Sequence, residues 1–123
     1  MKKSLESIAS EDGRYSAMAL KFVYEGLGVT IERIRSNQLE KRHISGGELS
    51  KGLADLAMER WGRLSRLVLN RWGVHTTRDL GEIVYLMIAN NWMTAQQDDK
   101  IDDFEDIYDF ERIFEKDFKF ESK

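Results

Sequence analysis

The chain has 123 residues, 41% of them hydrophobic and 33% charged, with a formal net charge of −3, no cysteine and no proline. That length fits one domain spanning residues 1–123, with enough chain for a real core. The missing cysteines exclude disulfides and thiolate metal sites. Without proline every residue can donate its backbone N–H, and turns fall to Gly, Asn, Asp and Ser.

The net charge hides an asymmetry. Residues 1–97 hold 14 Lys/Arg against 11 Asp/Glu, a balance of +3, while residues 98–123 hold 5 against 11, a balance of −6. Such a split marks an acidic tail or docking segment. Residues 1–12 are polar, read as frayed, and run into no apolar stretch of signal length. No later stretch reaches membrane-span length, so a cytoplasmic location without membrane contact is expected.

In chain order, a first helix is predicted from Gly13-Arg14, with Tyr15, Met18, Ala19, Phe22 and Val23 forming one stripe at helical spacing. Gly26 and Gly28 are expected to end or kink it. Val29, Ile31 and Ile34 read as a second short helix, with a strand as the alternative. Ser45 and Glu48 form a capping box, and Ile44 before them is placed to staple onto Leu49. The helix that follows should bury Leu49, Leu53, Leu56 and Ala57 and break at Trp61-Gly62. A further helix carries Leu64, Leu67, Val68 and Trp72 on one face and closes at Gly73. Thr76 and Asp79 mark another helix start, with Leu80, Ile83, Val84, Met87 and Ile88 as its stripe and Asn90-Asn91 as its end. Residues 92–110 read as a small hairpin, and Ile113, Phe114 and Phe118 as part of a closing helix. The predicted fold is mainly α, a compact bundle of five or six short helices with a C-terminal hairpin, and a winged-helix-like variant is its alternative form.

Catalytic signatures are missing. No nucleophile elbow, P-loop or dinucleotide-binding glycine pattern occurs. The histidines, His43 and His75, each precede a helix start and read as turn-closing residues. The acidic run from Asp98 to Asp106 puts Lys100 on a ligand position and has no central glycine, so it does not fit a calcium loop. The reading includes no cofactor and no metal.

Two regions are candidates for binding. Arg60, Arg63, Arg66, Arg71 and Arg78 lie in adjacent helices and the turn after them, with Arg60, Arg63 and Arg71 close to one helical face. A recognition helix would carry such charge, although an acidic chain argues against strong nonspecific nucleic-acid binding. Of the 13 aromatics, Phe104, Tyr108, Phe110, Phe114, Phe118 and Phe120 crowd into 17 residues among Asp and Glu. Those rings complete the core or form an amphipathic docking segment, with Phe118 and Phe120 the expected exposed pair.

His43-Ile44-Ser45-Gly46 with Glu48-Leu49, then Trp72-Gly73 with Thr77, Asp79, Gly81 and Ile83-Val84, then Asp103-Phe104 and Tyr108-Asp109-Phe110 with Phe114, form a combined pattern over residues 14–114. It resembles an uncharacterised family of small bacterial proteins described as restricted to planctomycete and verrucomicrobial lineages and their relatives. The chain departs from that family's Phe-Gly-Pro at Trp61-Gly62-Arg63. The resemblance implies a compact recurring domain and no activity, cofactor or catalytic residue. The sequence therefore predicts a non-enzymatic interaction or regulatory protein that binds a macromolecular partner, most readily a protein. The alternatives are a winged-helix-like nucleic-acid binder and a small enzyme using His43 with Glu48. Oligomeric state is open.

Overall fold

The structure is a computed structural model, and it describes residues 2–38, 44–95 and 99–116. Five α-helices follow in chain order among the described residues, α1 (Leu5–Asp12), α2 (Ala17–Gln38), α3 (Gly46–Trp61), α4 (Ser65–Arg71) and α5 (Thr77–Ala89). A 3-10 turn, Ile101–Phe104, and one wide π-type turn, Arg112–Lys116, follow them.

The N-terminus is not frayed, contrary to the sequence reading. Ser4 caps α1 by accepting from the Ser7 N–H, and Gly13 closes it in the left-handed region at φ 82°. Leu5, Ile8 and Ala9 are buried. A short helix becomes stable here because tertiary packing supplies what its eight residues cannot.

Gly26 and Gly28 do not break α2, which runs unbroken for 22 residues. At Gly26 the reason is packing. A Cβ there would stand 2.2 Å from Cδ2 of Leu53 on α3, so the missing side chain lets the two helices close on each other. Gly52 of α3 makes the reciprocal approach to Thr30 of α2.

Both capping boxes form. The Ser45 hydroxyl accepts from the Glu48 N–H while the Glu48 carboxylate accepts from the Ser45 N–H, and Thr76 with Asp79 repeats the arrangement. Leu49, Leu53, Leu56 and Ala57 are buried on α3, and Leu80, Ile83, Val84 and Met87 on α5. Gly62 ends α3 at φ 54° and Gly73 follows α4 at φ 94°, so glycine makes both breaks without proline. Asn91, at φ 67°, turns the chain after α5.

The described residues do not form the expected hairpin or its wing. Among the described residues there is no strand. Residues 101–104 instead wind into the 3-10 turn, which Thr77 clamps from α5. Its hydroxyl donates to the Phe104 carbonyl at 2.6 Å and accepts from the Ile107 N–H at 3.1 Å. Phe104 is buried against the bare backbone of Gly81. Phe104, Phe110 and Phe114 thus join the helices in one core, and Tyr108 packs beside the last two.

Candidate docking face

The five arginines do not converge. Gly62 turns the chain between α3 and α4, so the spacing that joins Arg60, Arg63 and Arg71 on one helix does not apply across it. Arg60 points to α2 and donates to Glu25 at 2.7 Å, which holds the Glu25 carboxyl below its ordinary range. Arg66 donates to Glu115 at 2.8 Å. Arg78 donates to Glu82, Asp102 and Glu105, at 3.3, 3.0 and 2.8 Å. Arg63 is engaged as well. The acidic segment therefore covers two of these cations, Arg66 and Arg78. Arg71 is exposed and makes no ion pair among the described residues.

Of the predicted stripe, Leu64 and Leu67 face outward, whereas Trp72 packs against the core. Leu64 and Leu67 are 61% and 55% exposed, the two most exposed large hydrophobic side chains described. Inward packing falls to Ser65, whose buried hydroxyl donates to the Ala57 and Gly62 carbonyls, and to Leu69. Leu67, Val68, Arg71 and Trp72 line an open groove of about 300 Å³. Its floor is rigid. Trp72 meets Trp61 edge-on at 5.3 Å between ring centroids, and Phe22 lies within 6.0 Å of both.

Other hollows offer less. A wider groove of about 400 Å³ runs between Tyr24, Leu27 and Ile31 on one side and Trp92 and Met93 on the other; among the described residues none of those lining it is charged, and Lys2 sits over the Trp92 ring. The cavity between Leu27, Leu49, Val84 and Phe104 holds about 50 Å³, far below a small-molecule site. A cleft of about 220 Å³ beside His75 contains Asp106 and Asp109. Among the described residues no group of three or more His, Asp or Glu is arranged to hold a metal.

Of the remaining candidates, Glu48 is committed to its capping box. His75 joins its helix start through its backbone, donating N–H to Asp79 at 2.8 Å. Tyr15 donates its phenolic proton to the other Asp79 oxygen at 2.7 Å. His43, Phe118 and Phe120 lie outside the described residues. No helix of the described residues is long and apolar enough to cross a membrane. No family model, no curated protein and no solved structure matches this chain.

Proposed function

We propose that this chain is a non-enzymatic interaction module that binds a protein partner through α4. The observation that carries the reading is the exposure of Leu64 and Leu67, the second of which lines a groove with Trp72. Water-exposed leucines beside a packed aromatic ring are the composition of a docking patch, and their burial by a partner releases apolar surface from water. A cytoplasmic location belongs to the same reading.

Several features weigh against the alternatives. A nucleic-acid interface needs cations free to replace counterions, whereas Arg60, Arg66 and Arg78 each rest on carboxylates of this chain. The absence of a strand among the described residues removes the wing. A site built on Glu48 would have to dismantle the α3 cap.

The test is capture from native lysate by the full chain and by its Leu67→Glu variant, with circular dichroism to establish that both fold. A partner retained by the parent and lost by the variant supports the proposal. Equal capture by both refutes it.

A further inference from the structure

We infer that the α4 groove takes an acidic amphipathic segment of a partner protein, its apolar side chains entering against Leu67 and Trp72 and a carboxylate meeting Arg71. The inference rests on the docking reading above and adds the chemistry of the occupant.

Charge decides among the occupants. Residues 62–73 contain Arg63, Arg66 and Arg71 and no acidic residue. A second copy packing α4 on α4 would set Arg71 against Arg71 across an apolar strip, with no acidic residue on α4 to pair with either, and like charges at such close quarters repel. An anionic lipid surface would accept the arginines. It would also meet Glu115 beside Arg66, and α4 has only seven residues to lay in a headgroup plane. An acidic peptide avoids both conflicts, because one carboxylate suffices.

Arg71 supplies the specificity. It lines the groove, is exposed, and unlike Arg60, Arg66 and Arg78 makes no ion pair among the described residues. Its guanidinium therefore stands ready for a bidentate carboxylate contact. The apolar component is the familiar helix-in-groove mode, in which residues spaced three or four apart provide anchors. The strip spans little more than two turns, so the contact belongs with small, transient interfaces.

The experiment titrates two synthetic peptides into the isotope-labelled full chain and follows backbone amide shifts. Both peptides have the same Leu/Phe helical stripe and neutral polar residues elsewhere, except for one position beside the stripe that is Glu in one and Lys in the other. The expected result is saturable shifting of the amides of residues 62–73, roughly tenfold tighter binding of the Glu peptide, and loss of that preference in Arg71→Glu. Equal affinity of the two peptides, no binding of either, or shifts centred elsewhere overturn the inference. So do self-association by sedimentation that Leu67→Glu abolishes, and phosphatidylserine vesicles binding this face more tightly than the Glu peptide. If Leu67→Glu loses a captured partner while the peptides show no charge preference, the docking reading survives and this inference fails. If Leu67→Glu alters nothing in either experiment, both fail.

Discussion

Gly52 of α3 stands so close to Thr30 of α2 that a Cβ on the glycine would lie 2.0 Å from the threonine Oγ1. Thr30 cannot swing aside freely, because it is β-branched, buried, and donates to the Gly26 carbonyl at 2.8 Å. Gly52→Ala should therefore destabilise the protein by about 1–3 kcal/mol through overpacking, despite the better helix propensity of alanine. Gly28, on the same α2, has open space where a Cβ would go. There Gly28→Ala should stabilise by about 0.5–1 kcal/mol. Urea unfolding of the two variants should move the midpoint in opposite directions.

Asp79 ties the N-terminal turn to α5. One oxygen accepts from the Tyr15 hydroxyl and the other from the His75 and Thr76 N–H groups. Tyr15→Phe should cost about 1 kcal/mol, and Asp79→Ala about 2–3 kcal/mol because it leaves a buried phenol and two N–H groups unpaired. The double variant should cost less than the sum, since a phenyl ring in place of the phenol needs no acceptor. A double-mutant cycle by thermal unfolding measures the difference.

Two small hydroxyls should respond oppositely to removal. Ser50 is buried and its Oγ has no hydrogen-bond partner among the described residues. Ser50→Ala should be neutral or stabilise by up to about 1 kcal/mol. Thr77, equally buried, both donates to Phe104 and accepts from Ile107. Thr77→Val should cost about 2 kcal/mol, and amide exchange near residues 101–107 should quicken more than exchange in α3.

Tyrosines set the alkaline limit. Burial, reinforced by the Asp79 contact, raises the Tyr15 phenol above its ordinary 10.0, and burial beside the Asp55 charge raises Tyr108 likewise. A raised folded value means stability fully present below pH 10.0 and lost as pH climbs through the folded values. On the acid side, the Arg14 hydrogen bond lowers Asp12 and the Arg60 hydrogen bond lowers Glu25. Their contribution is present above the ordinary values of 3.8 and 4.5 and fades as pH falls through the lowered ones. The Arg60–Glu25 pair and the Arg14 guanidinium lie at the surface, so the acid effect should be small and weakened by salt. Chemical unfolding across pH should show the steeper loss above pH 10.0.

Local signals proved legible and long-range ones did not. Ser45 with Glu48 and Thr76 with Asp79 could be read because a capping box is complete within four residues. The α5 stripe could be read because its apolar residues recur at one period and turn inward. Gly26 misled because its bareness serves a neighbour 27 positions away, Leu53, and does not end a helix. Periodicity likewise put Leu64 and Leu67 on one face without telling whether that face meets the core, and both are exposed. The turn at Phe104 depends on Thr77 and Gly81, about a fifth of the chain away, which no local pattern between residues 92 and 110 encodes.

The most direct measurement of the central claim is site-specific photo-crosslinking in the native host. A photoreactive residue replaces Leu67 on the groove or Glu32, an exposed position on α2. The docking account predicts a discrete protein adduct from position 67 that is missing from position 32 and that fades when Arg71→Glu is added. No adduct at position 67, or the same adducts from both positions, would contradict it.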